Sequence, residues 1–308
     1  AMGLEPDDAR RRAVRLANPL VASQPLMRTN LLVTLLDTAR RNVARGNTDV
    51  AVFELGLVTM PGILRPGQPL VAPVLPGGSR PDDATLAAIR AAVPDQPRHL
   101  AAVLTGCRAP GGWWGAGRGV DAGDAIAVAQ HVAQVVGVAV DVVADPVAPW
   151  HPGRCAALVV NHALGKIAVG YAGELHPTVV AAFDLPARSV ALELDLDALT
   201  SLAGTDPVQA RPVSSFPVAK EDLAFVVDAT IPAAKVESAI RDAAGQLVQD
   251  VRLFDVYTGE QIPAGTRSLA FALRLRAPDR TLTAEDTATV RRQVVSALAE
   301  RLGATLRT

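Results

Sequence analysis

The feature that most constrains the fold is a strict alternation of apolar and polar residues near the C-terminus. Every second residue from Leu269 to Leu275 is a large apolar side chain, which predicts a strand at 267–276 with one buried face. Thr283 has Asp286 three residues later, a near capping-box spacing that predicts the start of a helix. The remaining predicted elements are a strand at 222–227, a helix at 232–244 and strands at 248–256 and 304–307. The order is therefore βαββαβ.

The preceding residues mix helices and short strands. Helices are predicted at 25–45, 81–92, 121–136 and 178–183, and strands at 49–60, 99–105, 139–144, 155–160, 166–174 and 189–196. Adjacent strands joined by short turns favour an antiparallel sheet flanked by helices. Pro207 and Pro212 separate this pattern from the later one and indicate a linker at 204–214. We predict an α+β chain with domains at 1–203 and 215–308, the last with the ferredoxin-like arrangement.

Charge, cysteine content and apolar run length limit which classes of protein this sequence fits. The formal net charge of the 308 residues is -1, so nucleic-acid binding would need a local basic patch. Cys107 and Cys155 are far apart in the sequence, which fits a reducing compartment and predicts a cytoplasmic location. No apolar run approaches the ~20 residues that a membrane span needs.

Three candidate sites in the first domain have simpler structural explanations. Four side chains are of a type that can ligate zinc, but they lack the paired spacing of structural zinc sites. They are His151, Cys155, His162 and His176. The glycines of segment 115–119 lack the spacing of a dinucleotide or phosphate loop, so a tight turn is favoured. Cys155 could pair with His151 as a thiolate, but it begins an apolar strand, which predicts a buried and inert thiol. No metal site and no catalytic residue is predicted.

The last domain has a local excess of basic residues. Between 252 and 307 there are nine Arg and six acidic residues. Arg274 and Arg276 should point away from the face that carries Leu269, and Tyr257 ends a strand. Guanidinium groups beside an exposed aromatic ring can clamp phosphates and stack splayed bases. A solvated sheet edge with no ligand is the alternative.

Several segments, taken in order and spacing, resemble the C-terminal part of the bacterial phenylalanyl-tRNA synthetase β-subunit family. In the first domain they are Asn18-Pro19-Leu20, Met27-Arg28-Thr29-Asn30-Leu31-Leu32, Asn42, Phe53-Glu54-Leu55-Gly56, His151-Pro152-Gly153-Arg154-Cys155-Ala156 and Gly173-Glu174-Leu175-His176-Pro177. In the last domain they are Ser215-Phe216-Pro217, Glu221-Asp222-Leu223-Ala224-Phe225, Leu253-Phe254-Asp255-Val256-Tyr257 with Gly259, Ser268-Leu269-Ala270, and Gly303-Ala304 with Leu306-Arg307.

The resemblance implies two modules with different functions. Residues 1–203 would form a class II synthetase catalytic-like module that has lost its active site and is truncated at its N-terminus. Residues 215–308 would form a ferredoxin-fold anticodon-binding domain. The implied partners are a catalytic α subunit, in an α2β2 assembly, and tRNA. ATP and Mg²⁺ are expected for the holoenzyme, with none bound by this chain.

The sequence itself also lacks the phosphate-binding arginine motifs of a class II active site. A class II site needs one Arg for the α-phosphate and another for the γ-phosphate, because such cations offset the charge that develops during adenylate formation. Neither motif is found, and the nearest candidate, Arg118 after Gly117, has no companion strand Glu. The sequence departs from the family at Glu221-Asp222, where the family often has Arg-Asp and this chain has Lys220 just before, and at the loop 111–119, which contains two Trp.

The predicted function is therefore scaffolding of the α subunit together with binding of the tRNA anticodon region. The predicted tRNA-binding residues are Tyr257, for base stacking, and Arg274, Arg276, Arg280 and Arg307, for phosphates or base edges. Two alternatives stay open, namely a protein-interaction module that binds no RNA and a free-standing adenylate-forming enzyme.

Overall fold

The computed structural model describes residues 2–60, 75, 77–78, 80–163, 165–204, 209 and 214–307. The chain divides into two compact units, Ala1–Asp206 and Pro207–Thr308, and each is described by itself. The linker predicted at 204–214 lies mostly outside the described residues.

The first unit is built on a six-stranded antiparallel sheet in the order β1-β2-β8-β7-β6-β5. Its strands are β1 (Val50–Leu57), β2 (Arg98–Thr105), β5 (Asp141–Ala144), β6 (Trp150–His162), β7 (Gly165–Leu175) and β8 (Val190–Asp195). A small ribbon pairs β3 (Cys107–Ala109) with β4 (Arg118–Gly119). The antiparallel pairing that the predicted hairpins indicated is confirmed.

Helices cover the two faces of this sheet unequally. The helices are α1 (Leu32–Ala44), α2 (Asp83–Ala91), α3 (Ala122–Val136), α4 (Pro177–Ala182) and α5 (Leu196–Ser201). Helix α1 packs on β1 and β2, whereas α3 packs chiefly on β7 and β8. Strand residues alternate between faces, so Ala101 joins the core under α1 while the adjacent Ala102 joins the core under α3.

The second unit has a four-stranded antiparallel sheet in the order β12-β9-β11-β10. Its elements are β9 (Ala219–Asp228), α6 (Ala233–Ala244), β10 (Val248–Tyr257), β11 (Thr266–Leu275), α7 (Ala284–Leu302) and β12 (Thr305–Leu306). Phe225, Ile240, Phe271 and Val294 lie fully buried between sheet and helices. The predicted βαββαβ arrangement is confirmed. Gly303 ends α7 at a φ of 61°, where a side chain would be strained.

The predictions for the first unit differ from the structure in detail, and β6 already begins at Trp150, before the strand predicted at 155–160. The helix predicted at 25–45 begins only at Leu32, because Leu16 and Met27 form backbone hydrogen bonds with Pro25 and Val14 in an extended ribbon. Helix α5 was not predicted, since its six residues follow β8 directly and are too few to show helical periodicity.

Candidate functional site

The second unit presents one sheet face on the side opposite its helices. Residues whose side chains join the helix-covered core alternate with those on this open face. The open-face residues include Lys220, Asp222 and Ala224 of β9, Ala270, Ala272 and Arg274 of β11, Asp250, Arg252, Asp255 and Tyr257 of β10, and Arg307 just after β12. The face therefore combines small central residues with a charged rim.

A β-bulge decides which side of the sheet Tyr257 occupies. Leu253 pairs with Phe271 on the buried face, but Asp255 pairs with Ala270 on the open face, so the register shifts at Phe254. Strict alternation from Leu253 would have sent the Tyr257 side chain towards the helices. Because a bulge inserts one extra residue, it reverses that parity, and Tyr257 joins the open face.

Tyr257 and Arg307 meet across the open face. The Arg307 guanidinium carbon lies 4.7 Å from the centroid of the Tyr257 ring, within cation–π range. Arg307 Nη2 also donates to Gln261 Oε1 at 2.8 Å, which fixes the guanidinium from its other side. The ring lies against Gly259, where a Cβ would overlap the tyrosine hydroxyl. The spacing of Tyr257 and Gly259 in the sequence thus has a steric cause.

Arg274 lies at the other end of the open face. It is exposed, and its cross-strand neighbours are Lys220 on β9 and Asp250 on β10. Among the described residues, the side chains of Arg274 and Lys220 have no hydrogen-bond or ion-pair partner. Six residues separate Arg274 from Ser268, the cross-strand partner of Tyr257, which is about 20 Å at ~3.4 Å per residue. Arg274 and the Tyr257–Arg307 pair therefore do not form one compact site.

The other two predicted arginines are engaged by the protein. Arg276 is half-buried, and its Nη1 donates to the carbonyl of Ser214 at 3.1 Å. Arg280 Nη2 lies 2.8 Å from Asp286 Oδ1, at the N-terminus of α7. The pKa of Asp286 is held below its ordinary value by hydrogen bonds from Thr283 and by Arg280. Both arginines would have to leave a partner before binding a phosphate.

Several open-face residues were missed in the sequence. Arg252 is exposed on the central part of β10, and Lys220 flanks Arg274. Alternation along the two strands could have identified both positions. Gln261 could not have been identified, because it lies in a loop and reaches Arg307 from 46 residues away.

In the first unit, the Arg118 side chain is bound to the N-terminal residues of helix α3. Its guanidinium donates to both carboxylate oxygens of Asp124, at 2.8 and 2.7 Å, and lies 3.2 Å from Asp121. Asp121 and Asp124 form the capping box of α3. The Arg118 hydrogen bond is the main reason that the pKa of Asp124 lies below its ordinary value. Arg118 therefore has a structural role that leaves no free cation for a phosphate.

The candidate nucleophile and metal ligands also have structural roles. Cys155 is buried, as predicted, and burial raises the pKa of its thiol, which disfavours the thiolate. His151 and His176 stack with ring centroids 6.4 Å apart, and each accepts a backbone hydrogen bond through Nδ1. Within the described ranges no group of three or more His, Cys, Asp or Glu side chains could hold a metal ion.

Two of the segments that resemble the family meet across the β6–β7 hairpin. Arg154 Nη1 donates to Glu174 Oε1 at 2.6 Å, and the Glu174 side chain is only 6% exposed. Gly173 lets β7 approach β6, because a Cβ there would overlap the Arg154 carbonyl. The His-Pro-Gly-Arg and Gly-Glu-Leu-His segments are therefore two halves of one packed contact.

An apolar strip lies uncovered along the edge strand β1. Phe53, Leu55 and Leu57 are 70%, 59% and 50% exposed, and they alternate on the side of the sheet away from α1. A groove adjoins the strip, lined chiefly by Phe53, Leu100, Leu104, Val128 and Val132. Helix α3 packs on β7 and β8 and leaves this edge open. Such a patch is typical of a protein interface.

Residues 1–196 match the family described as phenylalanyl tRNA synthetase beta chain CLM domain. The chain belongs to this synthetase β-chain family. The resemblance inferred from the sequence is thereby confirmed, and residues 214–307 also match the ferredoxin-fold anticodon binding domain. None of the described helices is long and apolar enough to cross a membrane.

Curated relatives extend the match over nearly all of the chain. Phenylalanine–tRNA ligase beta subunits of Thermobifida fusca, Streptomyces avermitilis and Mycobacterium leprae are 52%, 49% and 45% identical to it, each over 99% of its length. The chain spans only 35–36% of these relatives, so it corresponds to about a third of a β subunit.

Proposed function

We propose that this chain is a non-catalytic, tRNA-binding and scaffolding part of a cytoplasmic phenylalanine–tRNA ligase. Residues 1–203 would be a class II synthetase-like module that holds the α subunit, and 204–214 a linker. Residues 215–308 would bind the anticodon stem and loop. The stacked pair of Tyr257 and Arg307 on an open sheet face carries the RNA-binding part of the proposal.

The open face offers two kinds of contact to RNA. Tyr257 presents a ring on which an unstacked base can stack, and Arg307 adds a planar cation beside it. Arg274 and Lys220 are adjacent, exposed cations without described partners, as a phosphate contact requires. Arg276 and Arg280 remain in the proposed surface as peripheral contacts, because each already has a protein partner.

The apolar strip of β1 is the proposed contact for the α subunit. Phe53, Leu55 and Leu57 project from an edge strand beside a groove that an apolar side chain could enter. The six-stranded antiparallel sheet supports a class II-like module, and among the described residues β1 is an edge strand of that sheet. A partner that covers this edge would bury the apolar strip.

ATP and Mg²⁺ are proposed to act in the assembled enzyme, at residues outside this chain. The described part of the chain does not fit them, since Arg118 is held by Asp124 and Asp121. The described carboxylates also form no cluster that could hold a metal ion. No catalytic step is assigned to these residues.

The RNA-binding proposal is tested by measuring tRNA binding to the 308-residue chain in rising salt. Phenylalanine tRNA should bind more tightly than the same tRNA with an altered anticodon. Tyr257→Ala should weaken binding by about 5- to 150-fold, since base stacking is worth ~1–3 kcal/mol. Phe254→Ala is the matched control, because Phe254 is an exposed aromatic residue of the same strand at the bulge.

Equal effects of the two changes would remove Tyr257 from the site, and no binding of either tRNA would favour the protein-interaction alternative.

The scaffolding proposal is tested by co-purification with the α subunit. Phe53→Asp should abolish co-purification, because the interface would bury an unpaired charge. Val135→Asp is a control at an exposed apolar position on α3. Pyrophosphate exchange by the chain alone would favour the free-standing enzyme.

A further inference from the structure

The first unit contains a cavity that the two proposed interfaces do not use. It has a volume of about 220 Å³ and lies over β7 and β8, on the side of the sheet that carries α1. Trp150, Tyr171, Leu32 and Met60 supply apolar walls. The Trp150 and Tyr171 rings lie 5.8 Å apart, and the Trp150 Nε1 is held by the carbonyl of Ala191 at 2.9 Å. The Trp150 side of this aromatic wall is therefore fixed in place.

The floor of the cavity contains an incompletely bonded histidine. His99 is only 8% exposed, and its Nδ1 lies 2.8 Å from Glu193 Oε1. A carboxylate only accepts hydrogen bonds, so this geometry assigns a hydrogen to Nδ1. The buried Nε2 has no hydrogen-bond partner among the described residues. The nearest carboxylate oxygen given for Nε2 is Asp195 Oδ2, at 3.9 Å.

The part of β7 that lines the cavity has an irregular register. Ala168 pairs with Val159 and Gly170 with Leu158, so Val169 is an extra residue in β7. A Cβ on Gly170 would overlap the Glu193 carbonyl, which means that β7 and β8 approach closely there. Bulges of this kind occur frequently beside binding sites, where they redirect side chains.

The charges around the cavity favour a cation. Glu193 and Asp195 both line it, and Asp195 is partly exposed towards it. Arg10 also lines it, but its guanidinium donates to Asp8 at 2.7 and 3.0 Å and to the carbonyl of Ala148. An anionic ligand would face two carboxylates without a free guanidinium to offset them.

We propose that this cavity binds a small organic amine. The ammonium group donates to His99 Nε2 and to the Asp195 carboxylate, which are separated by a gap that one donor group can bridge. The apolar part of the amine packs against Trp150 and Tyr171. A cavity of about 150 Å³ can hold benzene, so about 220 Å³ accommodates an aryl ring with a short amine chain.

The test titrates the 308-residue chain with three probes of similar shape, observed by calorimetry and ligand-detected NMR. Phenethylamine is the cation, 2-phenylethanol the neutral analogue and 3-phenylpropionate the anion. Phenethylamine should bind at least tenfold more tightly than 2-phenylethanol, and 3-phenylpropionate should bind most weakly. Equal binding of amine and alcohol, or no binding of any probe, overturns the proposal without a variant.

A variant that removes the charge of Asp195 tests where the ammonium group binds. Asp195→Asn keeps an acceptor for the backbone of Ala198, which the Asp195 side chain caps at 2.8 Å. It should lower the affinity for phenethylamine to that for 2-phenylethanol, and unchanged alcohol binding shows that the cavity is intact. Asp228→Asn is the control and should change nothing, because it removes a carboxylate in the second unit that accepts the backbone N–H of Thr230. A tenfold preference for the amine that survives Asp195→Asn contradicts the assignment.

Discussion

Gly259→Ala is expected to separate RNA binding from stability. A Cβ at this position would overlap the hydroxyl and Cζ of Tyr257, so the ring has to swing away. That movement removes the Arg307 stack, worth ~0.5–1 kcal/mol at an exposed site. The change from Gly to Ala also restricts the unfolded chain, which stabilises by ~0.4–1 kcal/mol. The two effects nearly cancel, so the free energy of unfolding should change by less than about 0.5 kcal/mol.

The affinity for phenylalanine tRNA should nevertheless fall by as much as it does in Tyr257→Ala. Once the ring is absent, Gly259→Ala has nothing to displace, so the double variant should bind like Tyr257→Ala alone. Urea unfolding and salt-titrated tRNA binding measure the two quantities. Gly204→Ala is the control, because a Cβ there meets nothing within 4 Å. Full affinity in Gly259→Ala, or additive losses in the double variant, would refute the role assigned to this ring position.

Three further outcomes are expected. Arg274→Ala should lower the slope of log affinity against log salt by about one unit, because one phosphate contact is lost; an unchanged slope removes Arg274 from the interface. Arg154→Met should cost about 3 kcal/mol in urea unfolding, since it leaves the buried Glu174 carboxylate without its closest cation, and adding Glu174→Gln should recover part of that loss. Asp124→Asn should destabilise the chain by ~1–2 kcal/mol at pH 6. The pKa of Asp124 is lowered in the fold, so this difference is full above the ordinary carboxyl pKa and should vanish as pH falls through the folded-state pKa.

The second unit could be predicted from the sequence almost element by element. Its strands are amphipathic, and Thr283 and Gly303 mark both ends of α7 with local signals. The direction of Tyr257 could not be predicted, because it depends on the bulge at Phe254. A bulge adds one residue without a compositional signal, and one residue is enough to exchange the faces of a strand.

The first unit was harder because its irregular parts depend on distant contacts. Residues 25–31 have helix-compatible composition, yet the backbone of residues 25–27 pairs with residues 14–16 and the helix begins later. The cavity was not foreseen at all. His99 and Asp195 are almost 100 residues apart, and they become neighbours only because β2 and β8 pair in register. Sequence spacing alone contains no information about such a pair.

The arginines of the candidate sites in the two units differ in whether the protein already binds them, and this difference favours the open face as the RNA-binding surface. In the first unit, Arg118 and Arg154 each form a short bond to a carboxylate that is itself almost buried. A phosphate would have to replace a partner that is already preorganised and desolvated, and the carboxylate left behind would be unpaired. In the second unit, Arg274 and Arg252 are exposed, and neither has a partner among the described residues. The open face has four cations against three aspartates, and a polyanion gains the attraction of Arg274 and Arg252 without breaking an internal bond, even though the net charge of the chain is -1.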